Sequence, residues 1–336
     1  MKRTLATLVL MGSSLNAYAA DDQVNIYSFR QPFLIKPILE QFTQKTGIKT
    51  KVVFAKKGLI QRLKREGQLS PADLVLTSNF SKLLQLKDEG LTQPYQLSKS
   101  LSNNIAPQFR DGDNHWLALT KRVRNVYSSK ARAGKLDTLK YEDLANAEYK
   151  GKICTRSGKH PYNLGLIASM IAHNGEAQTE SWLRGVKANL ARKPQGNDRA
   201  QVKAIKEGLC DVSLGNSYYY GKMVNDSKQK AWADAVYLNF PNQQDRGSHI
   251  NVSGAVMTKH APHKAAAQKL LDYLASDKAQ ALYAKLNMEY PVNAKVKPSK
   301  MVQNWGEFKA DDIALEKIAN HRQAALKLVD KVGFDL

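Results

Sequence analysis

The sequence predicts an α/β protein of two lobes with a ligand cleft between them. Three observations support this. Strand and helix signals alternate from residue 24 onward, the alternation restarts near residue 152, and residues suited to holding a ligand follow strands in both stretches. Clefts at domain junctions are favoured ligand sites.

The elements follow in order. Val24 to Phe29 (VNIYSF) is strand-like. Leu34, Ile38, Leu39 and Phe42 recur at helical spacing, and Gly47 stops that helix. Lys51 to Ala55 form a second strand, a short charged helix follows, and Ala72 to Leu76 read as a buried third strand. Ser81 to Glu89 resume a helix, so the start of the chain spells βαβ units and a mainly parallel sheet. In the second stretch, Lys152 to Cys154 form a strand and Leu164 to Ala172 an apolar helix. Ser181 to Leu190 and Gln201 to Glu207 are further helices, and Cys210 to Leu214 another strand. Val252 to Met257 return as a strand, Ala-rich helices run from Pro262 to Leu286, and Asp311 to Val332 are helical.

Composition bounds the class. The chain has 336 residues, 43% hydrophobic and 24% charged, which fits a globular protein and excludes disorder. No fixed-period repeat or low-complexity tract interrupts it. The net charge of +21 is spread along the chain and not gathered into one basic helix, so it reads as a basic surface open to anionic ligands, with no nucleic-acid partner.

Residues 1–19 read as a secretory signal peptide. Lys2 and Arg3 form the basic start, Leu5 to Met11 the apolar stretch, and Ala17-Tyr18-Ala19 the small-residue cleavage site. That stretch is too short to span a bilayer, and no later segment approaches the roughly 20 apolar residues required. The expected product is exported, not membrane-embedded, and resident in a bacterial periplasm. In such an oxidising compartment the two cysteines, Cys154 and Cys210, favour one disulfide, with two buried free thiols as the alternative.

Three segments carry chemistry. Ser217-Tyr218-Tyr219-Tyr220-Gly221 follows a strand directly, where α/β proteins place ligand groups. Neighbouring phenols there can aim at one hard trivalent cation, which would drive their deprotonation far below a free pKa of about 10. Packing is the commoner role of such a run. Thr155 to Asn163 (TRSGKHPYN) joins a strand to a helix start, an anion-binding corner with Tyr162 in the first helical turn. Arg30 and Gln31, at the end of the first strand, suit a bidentate anion.

These segments, taken with IYSFRQPFLIKPILEQFTQKTGIK, AKKGLIQRLKREGQLSPADLVLT, CTRSGKHPYNLGLIASMIA and GNSYYYGKM, resemble the periplasmic ferric-ion-binding proteins of iron ABC importers. The likeness covers essentially the whole mature chain. It implies a type II periplasmic-binding fold, with lobes at about 22–121 plus 246–296 and 122–245 plus 297–336, closing by a hinge. It implies that Fe3+ is held by Tyr162, Tyr218 and Tyr219, with Tyr220 as packing. Many relatives place His-Tyr where this chain has Gln31-Pro32, and others use an acid near Lys56-Lys57, where none occurs. The first lobe is thus expected to lack a strong protein ligand. A synergistic anion such as carbonate or bicarbonate would complete the site, held by Arg30 and Gln31, with Arg122 and Arg124 of the TKRVRNVY crossover as secondary candidates. The implied partner is the permease of an ABC importer in the inner membrane, served by a monomer.

Other readings weigh less. His260 and His263 flank Pro262 without a cysteine or carboxylate at metal-site spacing, so they read as surface residues, while His160 is an auxiliary ligand candidate. No G-x-S-x-G elbow, P-loop, HExxH or G-x-G-x-x-G appears, so no enzyme is expected. The alternative is a binder of another solute: a small organic anion, phosphonate, thiamine or polyamine.

Overall fold

The computed structural model describes residues 22–336; the signal segment expected over 1–19 lies outside the described residues. The chain opens as β1 (Gln23–Ser28), α1 (Pro32–Thr46), β2 (Lys49–Phe54), α2 (Leu59–Glu66), β3 (Leu74–Thr77) and α3 (Phe80–Asp88). β1 lies between β2 and β3, parallel to both, with Ile26 opposite Val52 and Leu74. This is the βαβ arrangement that the alternating signals require. α1 starts with Pro32, whose missing N–H costs nothing there, and stops at Gly47 in the left-handed conformation. Its buried stripe of Ile35, Ile38, Leu39 and Phe42 packs on the core. Each such side chain contributes about 1.5–3 kcal/mol of transfer free energy.

After the short β4 (Thr92–Gln93) and α4 (Lys99–Asn104) comes a strand that the sequence reading treated only as a crossover, the thirteen-residue β5 (Leu117–Ser129). Nearly all of it is buried. The second α/β unit follows: β6 (Ile153–Cys154), α5 (Pro161–Ala188), α6 (Asp198–Lys206), β7 (Val212–Asn216), α7 (Tyr218–Val224), α8 (Lys230–Asp234) and β8 (Val236–Asn239). β6 and β7 are parallel neighbours, and the Cys154–Cys210 disulfide ties them together. α5 is continuous apart from a break at Gly175, whose φ of 78° no helix tolerates. The two helices expected separately therefore abut in one element. β8 was not anticipated.

The chain then returns through β9 (Ile250–Thr258), α9 (Lys264–Ala275), α10 (Asp277–Asn287) and β10 (Tyr290–Pro291). It ends in α11 (Lys300–Gln303), α12 (Leu315–Asn320) and α13 (Arg322–Val332). The expected helix over Asp311 to Val332 thus begins only at Leu315 and is split near His321. The strand order is β2-β1-β3-β9-β5-β7-β6.

β5 joins the halves. From Leu117 to Val123 it pairs antiparallel with β9, and from Arg124 to Ser128 with β7. The two crossing strands β5 and β9 are held so close that a Cβ at Gly254 would sit 2.3 Å from the Leu117 carbonyl oxygen. Only glycine fits there. The C-terminal α13 packs on α5, and α12 lies against both α5 and α3. No described helix is long and apolar enough to cross a membrane.

Candidate functional site

The ends of β1, β6 and β7 converge on one cavity of about 490 Å³ between the halves. Tyr162, in the first turn of α5, and Tyr218 and Tyr219, at the start of α7, all line it. The Tyr162 and Tyr218 hydroxyl oxygens are 3.3 Å apart, and the rings of Tyr218 and Tyr219 lie 4.2 Å centroid to centroid. Tyr220 does not line the cavity. It packs on Tyr127 and Trp305, the role expected of it.

One carboxylate sets this geometry. Asp198, at the first position of α6, is fully buried and accepts from Arg124 Nη1 at 2.8 Å, Arg156 Nη1 at 3.1 Å and the Asn216 amide at 3.0 Å. It thereby ties the loop that carries Tyr162 to the strand that delivers Tyr218. Arg124 also donates to Asn163 at 2.6 Å and Asn216 at 3.1 Å. Arg124 was expected beside the anion; instead it is buried behind the tyrosines and does not line the cavity. All three of its side-chain acceptors belong to the tyrosine-bearing half, so its charge is spent on the scaffold.

The anion-binding corner needs a similar correction. Ser157 Oγ and the Gly158 amide donate to the Asp335 carboxylate at 2.6 and 2.7 Å, so the chain's own C-terminal segment fills that corner. His160 caps α5, its Nδ1 accepting from the Tyr162 amide at 3.2 Å. Burial, and then the charge of Arg156, lowers its pKa to about 3, which leaves a neutral ring at the cavity wall. His263, read as a surface residue, is held by Asp73 at 3.1 Å.

Arg122 reaches the cavity from β5, where the halves join, and the other half supplies Arg30, Gln31 and Ser78. It also supplies Glu289, which the sequence reading missed. Glu289 is buried beside the cavity, 3.0 Å from Arg30 and 3.9 Å from Arg122, and accepts a hydrogen bond from Thr120 Oγ1. Burial pushes its pKa up, but Arg30, Arg122 and Thr120 together hold the carboxyl below the usual range. The half expected to lack a strong protein ligand therefore carries a carboxylate, held by its own Arg30. It follows an ordinary helix end, and nothing in MEYPV advertises it.

The electrostatics have one sign. Arg30, Lys56, Arg122, Arg156 and Lys222 line the cavity against the single carboxylate of Glu289. Arg122 and Arg156 face the Tyr162 ring at 5.7 and 5.4 Å, and Lys222 faces that of Tyr218 at 5.2 Å. Burial, and then the neighbouring phenols Tyr162 and Tyr219, holds the Tyr218 proton well above the ordinary value of 10. Tyr219 is pushed up to about 12 by burial first and then by Tyr162 and Asp198. With no cation beside them Tyr218 and Tyr219 stay neutral. A trivalent ion placed there would meet three hard oxygens, each able to shed a proton. Among the described residues no three His, Cys, Asp or Glu side chains gather into an alternative metal site.

The chain is similar to known proteins over nearly its whole length. The family model described as bacterial extracellular solute-binding protein matches residues 55–310. Iron uptake protein A1 of Synechocystis sp. is 38% identical over 331 residues, covering 96% of this chain and 92% of that protein. The ferric iron-binding protein A of Mannheimia haemolytica, solved in an open conformation, superposes with a TM-score of 0.90 at 55% identity, covering 94% of this chain and 99% of that one. The Trichodesmium IdiA (FutA) protein, solved with iron and citrate ligands, superposes with a TM-score of 0.88 at 38% identity, covering 93% of this chain and 99% of that one.

Proposed function

The chain belongs to the bacterial extracellular solute-binding protein family, and from that premise we propose that it captures ferric iron with the phenolates of Tyr162, Tyr218 and Tyr219 and delivers it to the permease of an ABC importer. The observation that carries this reading is the convergence of three tyrosines in one cation-ringed cavity, two of their hydroxyls 3.3 Å apart. Three phenolates balance the charge of Fe3+, and their hard oxygens match its preference. The relatives named for iron uptake and ferric binding support the same cargo.

The cavity's five cations against one carboxylate leave a positive surplus once iron and phenolates have cancelled. A synergistic anion such as carbonate answers it. Arg30 and Arg122 are its natural holders, with Gln31 as a neutral hydrogen-bonding partner, and Arg124 acts only from behind, through Asp198. Three phenolates and a bidentate carbonate supply five oxygens, with water as a sixth.

The lobes span about 22–121 plus 246–296 and about 122–245 plus 297–336. The change of β5's partner from β9 to β7 between Val123 and Arg124 supports a hinge there. In this scheme the tyrosines collect the ion from one lobe, and closure brings Arg30 and the anion from the other. The mature protein works as a monomer in the periplasm. A second reading, a binder of a small organic anion, is favoured by the cation excess alone. Ferric citrate added to chelator-stripped protein, with and without bicarbonate, separates the two. A broad phenolate-to-iron absorption band that strengthens with bicarbonate is expected; no colour in either sample would contradict iron capture and leave the organic anion.

A further inference from the structure

Several buried or half-buried cations in this protein are matched. Arg30 has Glu289, Arg124 has Asp198, and Lys87 has Asp111. Such matching is the rule, because an unpaired charge taken out of water is costly. Lys82 and Arg322 are among the cations that break it, as Lys121 and Lys222 also do. Lys82 stands in the first turn of α3 and Arg322 at the start of α13, on opposite sides of the seam where α12 meets α3. Neither has a carboxylate within 4.0 Å among the described residues. The Lys82 ammonium covers the Phe29 ring at 3.8 Å, and Arg322 Nη1 donates only to Ser81 Oγ at 3.2 Å.

Both cations line the same cavity, about 530 Å³, together with Asn79, Ser81, Asn320 and Gln323. Asp88 and Glu89 also border it, but they sit six and seven residues beyond Lys82, about 9 Å or more along the α3 axis. Glu89 is already engaged by Lys64 at 2.9 Å and Gln85 at 2.9 Å. Burial lowers the pKa of Lys82, and the charge of Arg322 lowers it further; burial lowers that of Arg322 as well. Two desolvated like charges thus face each other across a polar, roomy seam.

We propose that this seam is a second ligand site, taking a small tetrahedral oxyanion of the phosphate or sulfate class clamped between Lys82 and Arg322. The guanidinium fork, the ammonium and the Ser81 hydroxyl supply charge-assisted donors. Asn79, Asn320 and Gln323 supply neutral ones. An anion there joins α3 of one half to α13 of the other and replaces a repulsion with a bridge. The seam also adjoins the tyrosine cleft: Phe29, under Lys82, lines that cleft, and Pro161, which borders the seam, precedes Tyr162. Occupancy therefore favours the joined arrangement of the halves, whatever the cleft carries.

The test uses inorganic phosphate and sulfate, titrated separately by calorimetry at constant ionic strength, on the parent protein and on Lys82→Met and Arg322→Met. Each variant is expected to lose one equivalent of bound oxyanion, or to bind it at least tenfold more weakly. Loss for phosphate alone or for both anions identifies which one the seam accepts. Melting separates a ligand site from a merely structural role. Without oxyanion the variants should melt at or above the parent's temperature, since a repulsion is gone. The upward shift that phosphate or sulfate gives the parent should be absent in the variants. Unchanged anion binding in both variants, or variants that melt below the parent in anion-free buffer, would overturn the proposal.

Discussion

The phenol oxygens of Tyr162 and Tyr218 stand 3.3 Å apart although 56 residues separate them in the chain. Two phenols at that distance can share a proton, and Tyr218, buried beside Tyr162 and Tyr219, holds its own well above the ordinary value. A cation must therefore draw the proton off Tyr218 before the pair can act as a clamp. Most of the behaviour expected of the cleft follows from that relation.

Iron affinity should depend steeply on pH. Tyr218 and Tyr219 hold their protons more tightly than free phenols, so metal must displace them throughout the neutral range. With three phenols involved, the apparent affinity should fall by up to about a thousandfold for each pH unit of acidification. Chelator competition across pH 5 to 8 measures this slope. A slope near zero would mean that phenolates do not hold the ion.

The same shifts set the alkaline stability of the metal-free protein. A phenol whose folded pKa is raised stays protonated in the fold while the unfolded chain ionises near 10. The folded state then binds more protons and loses relative stability as pH rises. The melting temperature of apoprotein should therefore decline from about pH 10 toward Tyr219's value of about 12. Tyr219→Phe should flatten that decline.

Asp198→Asn should loosen the cleft without touching its lining. Asp198 accepts from Arg124, Arg156 and Asn216, and the asparagine would leave buried guanidinium groups uncompensated. Breaking a buried ion pair on one side typically costs about 3–5 kcal/mol. Denaturant unfolding should show a loss of that order, accompanied by weaker iron binding. Full stability in the variant would remove Asp198 from its role as the tie between the tyrosine segments.

Glu289→Gln separates two roles for the carboxylate. Glu289 offsets part of the Arg30 and Arg122 charge, so its neutralisation should tighten bicarbonate binding several-fold while lowering the melting temperature. Calorimetry and thermal unfolding of the same preparation report both. If anion binding weakens instead, Glu289 orients the arginines more than it cancels them.

Reduction of the Cys154–Cys210 bond, which closes a loop of 56 residues, should destabilise the protein by about 4 kcal/mol in the chain-entropy account. Denaturant unfolding with and without reductant gives the number, and Cys154→Ser with Cys210→Ser should match the reduced protein.

The parallel sheet at the start of the chain was legible because α1 and β3 carry clean patterns: Leu34, Ile38, Leu39 and Phe42 at helical spacing, and the apolar run Leu74-Val75-Leu76. The three tyrosines were singled out by the resemblance to ferric-ion-binding proteins, since a tyrosine run after a strand is by itself more often packing. β5 was not, because it mixes Lys121, Arg122 and Arg124 into a buried strand, and pattern reading assigns such charges to solvent. Arg124 misled for the same reason: its partner Asp198 lies 74 residues away, and only the fold brings them together. Glu289 was missed because its meaning lies in Arg30, 259 residues distant. The filling of the Thr155–Asn163 corner by Asp335 likewise depends on a C-terminal segment whose destination no local signal gives.

The most direct measurement is the visible spectrum of the ferric-loaded protein beside Tyr162→Phe, Tyr218→Phe and Tyr219→Phe, each checked for an unchanged fold by circular dichroism. The account predicts a phenolate-to-iron charge-transfer band in the parent, and in every variant a weakened or shifted band with affinity down by about a thousandfold or more. Parent-like colour and affinity in all three folded variants would contradict it.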